Sequence, residues 1–418
     1  MIAPGARLIL LSAAVALPLL TIAWVVPALA LAVSAVLAVL FLAAIADAIR
    51  GTRVLAEVAV EFPPGVRWTK DRESKLDIKL DKAPGDLVVS ADFPPEIPYH
   101  GVQSGFLCAP DKRGDYQLTE CYLECASPVG LWSIRSIRPI RTVIRVYPNL
   151  RHDKTAAAFL RRSLGGMHLQ RQLGKGREFE KLRDYAPGDS FDEIHWKATA
   201  RRGRPITKQF QIERTQEVYV VIDSSRLTAR DEALEQFVTA SLVLAIAAGR
   251  QGDHFGLLTF SDKVDRFVRA RGGMSHFLAC RNAIYDLQPR PVSPSYEEVF
   301  SFIRMRLQRR ALLIFLTALD DPLLAETFAQ HCGVIARRHL VIVATPLQAS
   351  VQPLFAGDLP AGADDVYQRL ASHLAFRDRT ELQKKIERQG MKFARLRPES
   401  ISADLAALYL SVKRSQAL

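Results

Sequence analysis

The chain has 418 residues, enough for about two or three domains, and a formal net charge of +12. That charge favours acidic partners such as phospholipid headgroups, nucleic acid or an acidic protein surface. The five cysteines have no two-residue spacing, which argues against a zinc site and against a disulfide framework. Cys121 and Cys125 fall in a predicted strand and are expected to be buried apolar thiols.

The N-terminal stretch from Leu8 to Ala46 contains no charged residue. One membrane-spanning helix needs only about 20 apolar residues, so the stretch is long enough for two. We expect spans at Leu8–Val26 and Ala28–Ala46, folded as a tight hairpin around Pro27, with Pro18 as a site for a kink. The stretch is too long for a cleaved signal peptide.

Arginines lie at both ends of this predicted hairpin but not at its tip. Arg7 precedes it and Arg50 and Arg53 follow it, whereas the tip carries no positive charge. By the positive-inside rule, both ends face the cytoplasm, and so does the rest of the chain. The prediction is a two-pass protein of the inner or plasma membrane that contacts lipid through residues 1–50.

Between Val54 and Pro148 the sequence changes to short alternating runs separated by proline and glycine turns. Examples are LDIKL at Leu76–Leu80 and YQLTECYLECA at Tyr116–Ala126. This pattern is typical of a small antiparallel β-sandwich, which we assign to residues 51–150. A basic linker follows, with a predicted helix at Thr155–Leu164.

A block of mixed charge and aromatic residues runs from Gly176 to Glu213 and completes the predicted linker segment, residues 151–214. Pro187 and Gly188 predict a turn, and a helix is expected after it. Ser190 and Glu193 have the spacing of a capping box. Gly203 stands where a helix ending near Arg201 or Arg202 needs a left-handed residue, and Ile206, Phe210 and Ile212 indicate a strand.

This block resembles the bacterial family catalogued as domain of unknown function fifty-eight, in which a similar pattern precedes a von Willebrand factor A-like domain. The matching residues are Gly176, Glu178, Phe179, Arg183, Tyr185, Pro187, Gly188, Asp189, Ile194, Trp196, Lys197, Ala200, Arg201, Glu213 and Arg214. The segment SPVGLW at Ser127–Trp132 resembles the one with which the family closes its preceding domain. The resemblance implies a membrane-anchored protein that acts with MoxR-type AAA+ ATPases.

Residues 215–418 alternate between apolar strands and helices, which predicts a doubly wound α/β domain with a mostly parallel sheet. We expect strands at Val218–Ile222, His254–Phe260, Val264–Val268, Ala311–Thr317, His339–Thr345 and Met391–Leu396, and helices at Asp231–Arg250, Ser275–Leu287, Ser295–Gln308, Asp365–Gln389 and Ile401–Val412. Ligands bind such sheets beyond the carboxyl ends of the strands. That rim collects Asp223, Ser224, Ser225, Ser261, Asp262, Thr317 and Asp320.

The von Willebrand A-like resemblance implies a divalent cation at this rim, held by Asp-x-Ser-x-Ser, a threonine and a later aspartate. The chain keeps Asp223 and Ser225, but Leu227 replaces the second serine and Ala318 stands in place of the later aspartate. Substitutes for the missing ligands are Ser293, Ser295, Thr228, Asp320 and Asp321. We therefore expect at most weak Mg²⁺ binding, no obligatory cofactor, and a degenerate metal-site rim that serves in protein docking.

Catalysis is not expected. His195 lies near Asp192, but at helical spacing the two are a common stabilising pair, and no nucleophile motif is present. The function predicted is a membrane-anchored, non-enzymatic adaptor or scaffold that docks a MoxR-type AAA+ ATPase or its client during remodelling or maturation of protein complexes. The predicted docking residues are Glu178, Arg183, Tyr185, Asp189, Trp196, Lys197 and Arg201.

Two other functions stay open at this stage. Basic charge with interleaved aromatic residues also suits single-stranded nucleic acid, although lipid explains the charge near a membrane anchor equally well. A metal-dependent adhesion-type protein, binding through the A-like domain, is the other alternative. Neither nucleic acid nor a small-molecule substrate is the expected partner.

Overall fold

The computed structural model describes residues 1–26, 28, 30–102, 105–150, 173–186, 191–211, 215–230, 232–348, 351–354 and 363–415. The chain forms two compact units, Met1–Asn149 and Leu150–Leu418. The predicted linker helix at Thr155–Leu164 lies outside the described residues.

The first unit begins with a short strand, β1 (Ile2–Pro4), and a broken apolar helix. Helix α1 (Ala6–Leu11) passes through a π-helical turn, Ser12–Ala16, into α2 (Leu17–Val25). Pro18 lies in the first turn of α2, where its missing N–H interrupts the α-helical hydrogen-bond pattern. The irregularity expected at this proline is therefore a wider helical turn just before it.

Helix α3 (Ala30–Glu57) has 28 residues and extends well beyond the predicted end at Ala46. The predicted helix end is wrong because the chain stays helical through Asp47, the first charged residue after Arg7, which is buried rather than exposed at a helix end. From Ala44 onward the helix packs on the β-sheet of the same unit. The predicted boundary at residue 50 accordingly falls inside a continuous helix.

The described part of the chain contains two helices long and apolar enough to cross a membrane. One is Leu31–Glu57 near the N-terminus, which is mostly exposed within the structure. The other is Ala233–Arg250, which is mostly buried and serves as a core helix of the second unit. Ala6–Ile22 is a shorter apolar helical stretch. Apolar helices near the N-terminus suggest a membrane protein.

Strands make up the rest of the first unit. They are β2 (Ala59–Glu61), β3 (Gly65–Thr69), β4 (Ser74–Asp77), β5 (Lys79–Asp81), β6 (Val88–Ala91), β7 (Tyr99–Val102), β8 (Gly105–Cys108), β9 (Gly114–Ala126) and β10 (Trp132–Tyr147). The largest sheet has the order β1-β10-β9-β6, and β3 also pairs with β10. Its pairings are antiparallel as expected, except that β3 lies parallel to β10.

One hydrophobic core serves all the sheets of this unit and includes Leu55 of α3. On β9 the buried side chains of Cys121, Leu123 and Cys125 alternate with outward-facing ones, as period-2 strands require. All five cysteines of the chain are free and buried, which confirms the prediction for Cys121 and Cys125. Burial raises the pKa of Cys108 to about 12, so this thiol is unreactive at neutral pH.

The second unit is built on a six-stranded sheet of order β15-β14-β13-β16-β17-β18. Its strands are β13 (Glu217–Asp223), β14 (His254–Phe260), β15 (Val264–Arg271), β16 (Leu312–Leu316), β17 (Leu340–Pro346) and β18 (Lys392–Leu396). All pair in parallel except the edge strand β15. The prediction of a mostly parallel α/β sheet is confirmed.

Helices cover both faces of this sheet, because strand β13 is apolar on both sides. The covering helices are α5 (Ala233–Arg250), α6 (Met274–Ile284), α7 (Tyr296–Arg306), α8 (Pro322–Ala336), α9 (Ala363–Arg388) and α10 (Ile401–Arg414), whereas α4 (Trp196–Arg202) belongs to the charged block. Val218, Val220 and Ile222 face α5, α6 and α10, whereas Tyr219 and Val221 face α7, α8 and α9.

Helix α8 has no counterpart in the sequence prediction. Asp321 caps it, because its Oδ1 accepts hydrogen bonds from the backbone N–H groups of Leu323 (3.1 Å) and Leu324 (3.4 Å). Pro322 occupies the first helical position, where its missing N–H costs nothing. The dipeptide Asp321-Pro322 is therefore the sequence signal for this helix start.

Candidate docking surfaces

The charged block folds as a two-stranded antiparallel ribbon with a short helix between the strands. Strand β11 (Leu173–Asp184) pairs with β12 (Ile206–Gln211), which confirms the strand expected at Ile206 and Phe210. Ile194 and Ile206 are buried and hold the connecting segment against the ribbon. The predicted strand residue Ile212 lies outside the described residues.

The helix of this segment is α4 (Trp196–Arg202). Gly203 ends it with a left-handed φ of 67°, which confirms the predicted helix end. The predicted start is wrong, because Phe191–Glu193 form a 3-10 turn and His195 caps α4. The His195 Nδ1 accepts a hydrogen bond of 3.1 Å from the Ala198 backbone N–H, so its imidazole has a structural role.

Exposed aromatic and basic side chains surround α4. Phe191 is 73 % exposed and Trp196 is 68 % exposed, which is unusual for such large rings. Lys197 and Arg201 are also exposed on α4. We call Phe191, Trp196, Lys197 and Arg201 the α4 face.

The other predicted docking residues are distributed differently. Arg183 and Tyr185 are half-buried, and the Tyr185 ring centroid lies 6.3 Å from that of Phe191. The Glu178 backbone lies in β11, but its side chain, like Asp189 as a whole, lies outside the described residues. Trp196, Lys197 and Arg201 thus all lie exposed on α4, and Tyr185 lies next to Phe191.

The rim of the α/β unit lies where β13, β14 and β16 end, and it gathers buried polar side chains. Asp223 Oδ1 accepts a hydrogen bond of 2.8 Å from the Ser225 N–H, and Asp223 Oδ2 accepts one of 2.6 Å from the Thr317 hydroxyl. The Ser225 hydroxyl accepts from the Leu227 N–H at 3.3 Å. Ser224 and Ser261 are buried in the same layer, as the strand order predicts.

Burial raises the pKa of Asp223, and the hydrogen bonds from Thr317 and Ser225 partly oppose that rise. Neither Asp223 nor Ser225 has any exposed side-chain surface. This corrects the idea that these two residues form the docking face themselves: they support the rim from beneath, and other residues are exposed on it.

Four of the five substitutes considered for the missing metal ligands, Thr228, Ser293, Asp320 and Asp321, have another side-chain contact. The Thr228 hydroxyl donates to the backbone carbonyls of Asp223 and Ser225 at 3.1 Å each. Asp320 pairs with Arg379, and Asp321 caps α8. Among the described residues, no group of three His, Cys, Asp or Glu side chains could hold a metal ion. Of the three aspartates considered, Asp223 alone is engaged neither by an arginine nor by a helix cap within the described part of the chain, and at most weak Mg²⁺ binding stays a prediction.

Arg226 is the rim residue that sequence reasoning missed. Its Nε donates to the Ser293 hydroxyl at 3.1 Å, and its Nη2 lies 3.3 Å from Asp321 Oδ2. Ser293 and Asp321, two of the residues considered as replacement metal ligands, therefore bind the Arg226 guanidinium group. The available signal is a basic residue inside the Asp-x-Ser-x-Ser spacing, at a position usually passed over as variable.

A small cavity opens beside the rim, between β16, β17, β18 and α9. Asp320, Thr345, Arg379 and Arg395 are among its lining residues. Its volume of about 20 Å³ holds one water molecule and is too small for a substrate.

Comparisons with known proteins agree with the resemblance drawn from the charged block. Residues 181–355 match the family described as "Protein of unknown function DUF58". Gly176, Glu178 and Phe179 of the charged block precede the matched residues.

Two curated relatives are named as uncharacterized proteins. Uncharacterized protein Rv1480 of Mycobacterium tuberculosis is 26 % identical over 185 residues, covering 43 % of this chain and 57 % of that protein. Uncharacterized protein YeaD of Bacillus subtilis is 32 % identical over 96 residues, covering 23 % of each chain. The chain thus spans little more than half the length of the mycobacterial relative and about a quarter of the other.

Among solved structures, the hypothetical protein BatB from Bacteroides thetaiotaomicron is similar to 49 % of this chain over its full length, with 10 % identity and a TM-score of 0.30. A TM-score this low supports no argument about function. The sequence match stands by itself: residues 181–355 are similar to the family described as "Protein of unknown function DUF58".

Proposed function

We propose that this protein is a membrane-anchored, non-enzymatic adaptor that docks another protein through the α4 face. The single observation that carries the proposal is that Phe191, in the turn before α4, and Trp196, Lys197 and Arg201, on α4, are all exposed. Exposed aromatic residues next to cations are the usual centre of a protein interface, because they bury large area at little cost in side-chain entropy. The partner proposed, from the family resemblance, is a MoxR-type AAA+ ATPase or its client protein.

The anchor proposed is a two-pass hairpin of α1, α2 and α3, with the remainder of the chain in the cytoplasm. Its support is that both hairpin ends bind one corner of the β-sheet. The Gly5 N–H donates to the Leu131 carbonyl at 2.8 Å, and Asp47 Oδ1 accepts from the Val129 N–H at 3.0 Å. Ends that meet at one corner belong on one side of a membrane, and Arg7, Arg50 and Arg53 make that side the positive one.

Docking is tested with the full-length protein in detergent and a purified MoxR-type ATPase from the same cells. We expect the wild-type chain to retain the ATPase on an affinity resin. The double variant Trp196→Ala with Arg201→Glu should lose it, because it removes the ring and reverses a neighbouring charge.

The matched control is Tyr367→Ala with Arg377→Glu, which removes an equally exposed ring and charge from α9. If both double variants retain the same amount of ATPase on the resin, the α4 face is not the docking site. Topology is tested separately with alkaline phosphatase inserted after residue 27 or residue 149. Enzyme activity is expected only for the insertion at residue 27, and the reverse pattern would overturn the cytoplasmic placement.

A further inference from the structure

The rim carries two ion pairs in which the cation lies outside and the carboxylate lies inside. The Arg290 side chain is 50 % exposed and that of its partner Asp265 is 7 % exposed, with Nη1 and Oδ1 2.7 Å apart. The Arg226 side chain is 48 % exposed and that of Asp321 is 32 % exposed. In both pairs the guanidinium group is the more exposed partner, so a molecule that approaches either pair meets the positive charge first, which favours a negatively charged group at these two positions.

Arg226 lies in the loop that follows β13, and Arg290 lies in the segment before α7. Backbone hydrogen bonds between these two segments hold both arginines in place. The Arg290 N–H donates to the Ser224 carbonyl at 2.7 Å, and the Arg226 N–H donates to the Val292 carbonyl at 2.9 Å. The Arg226 side chain is further held through Ser293 and Asp321. These contacts use Nε and Nη2 of Arg226, so within the described part of the chain Nη1 is available to a carboxylate. A preorganised guanidinium loses little entropy on binding.

An apolar side chain lies beside this charge. Leu323 is 79 % exposed on the first turn of α8, two residues after Asp321, the partner of Arg226. Large exposed leucines next to fixed charge favour a protein segment over nucleic acid, because single strands are held by stacking on aromatic rings. We call Arg226, Arg290 and Leu323 the arginine rim.

We propose that the arginine rim is a second docking surface, which binds an acidic segment of a partner protein without a divalent ion. The segment's carboxylates pair with Arg226 and Arg290, and an apolar side chain beside them covers Leu323. No bridging metal is needed in this arrangement, since the guanidinium groups of Arg226 and Arg290 themselves supply the positive charge that pairs with a carboxylate. The proposal deepens the adaptor function and rests on it only in requiring a protein partner.

The test uses full-length protein in detergent and a fluorescent peptide of alternating glutamate and leucine, with binding followed by anisotropy. We expect saturable binding that weakens with salt and is unchanged by EDTA or added Mg²⁺. Arg226→Ala and Arg290→Ala should each weaken binding about ten-fold or more, the size expected for one charge-assisted hydrogen bond. Leu323→Ser should weaken it less.

The matched control is Arg250→Ala, which removes an exposed arginine from the C-terminal end of α5. An equal loss in that variant would overturn the proposal, because it would indicate attraction to net charge alone. Loss of binding in EDTA, no binding at all, or tighter binding of a single-stranded oligonucleotide to the same arginines would each overturn it too.

The double variant of the α4 face, Trp196→Ala with Arg201→Glu, should bind the peptide normally. Failure of ATPase docking and failure of the arginine rim are thereby distinguishable. Peptide binding that disappears in this double variant would assign the acidic segment to the α4 face, contrary to the proposal.

Discussion

Two buried aspartates, one in each unit, have nearly the same surroundings. Asp47 in α3 accepts hydrogen bonds from the Ser127 hydroxyl and from the Val129 N–H. Asp223 at the end of β13 accepts from the Thr317 hydroxyl and from the Ser225 N–H. In the sequence, however, Asp223 looks like a metal ligand and Asp47 looks like the end of a membrane span. The comparison shows that hydrogen bonds from one hydroxyl and one backbone N–H are enough to satisfy a buried carboxylate. Such a carboxylate links two segments of the chain, and we call it a structural joint.

The two joints connect different things. Asp47 fastens the membrane-proximal helix to the segment Ser127–Trp132, where the Trp132 indole N–H also donates to the Ala44 carbonyl at 2.8 Å. Asp223 ties β13 to the end of β16 beneath the arginine rim. Removing either carboxylate tests whether its joint is structural, and the effects should differ in size.

The largest effect is expected from Asp47→Ala. It removes the acceptor of the Ser127 hydroxyl and the Val129 N–H, which lie in a buried contact. The free energy of unfolding should fall by about 3 kcal/mol. Denaturant unfolding of the full chain in detergent measures it, followed by tryptophan fluorescence, to which Trp132 contributes. Asp47→Asn keeps one acceptor and should lose less, whereas Asp77→Ala, an exposed control, should change little. If Asp47→Ala lowers the free energy of unfolding no more than Asp77→Ala does, Asp47 does not have this structural role.

A smaller effect is expected from Thr317→Val, which removes one donor to Asp223 while keeping the side-chain shape. Loss of a hydrogen bond to a buried carboxylate should cost about 2 kcal/mol at neutral pH. Because that hydrogen bond lowers the pKa of Asp223, its loss should raise the pKa further. The loss of stability should therefore shrink as the pH falls and Asp223 is protonated. A loss of stability that stays constant as Asp223 becomes protonated would contradict this explanation.

The smallest effect is expected from Asp223→Asn, within about 1 kcal/mol of the wild-type protein. Since burial raises the folded-state pKa of Asp223 above its ordinary value, the stability that this group contributes is present below that ordinary value and is lost as the pH rises through the folded-state pKa. Asparagine cannot ionise, so the variant should gain on the wild-type protein as the pH increases. Thermal unfolding across that range measures the trend, and a trend of opposite sign would indicate that the ionised carboxylate is the stable form.

Much of the α/β unit is predictable from the sequence. Its strands are uniformly apolar and alternate with helices along the chain. A doubly wound sheet, with helices packed on each side, buries both apolar faces of such strands. The rim follows from the same order, because strand ends of a parallel sheet meet at one edge. Helix α8 is the exception, although Asp321 and Pro322 mark its start.

The charged block is predictable in part. Gly203 ends α4 as expected, because few residues other than glycine accept its left-handed backbone. The helix start is not predictable from a capping-box spacing, since His195 supplies the cap instead. A histidine near carboxylates looks like an acid–base group until its ring nitrogen is found to accept a backbone hydrogen bond.

By itself, the amino-acid sequence determined the order of the parts: an apolar start, a strand-rich segment, a charged aromatic block and an α/β domain. Those features depend on local periodicity and composition, which each segment carries within itself. Only the tertiary structure decided which charges are buried and which are exposed. Asp47 and Asp223 lie inside because distant hydroxyl and N–H groups, on Ser127 and Thr317 among others, meet them there. Arg226 lies outside because Ser293 and Asp321 hold it at the rim, and contacts between residues so far apart in the chain leave no local pattern.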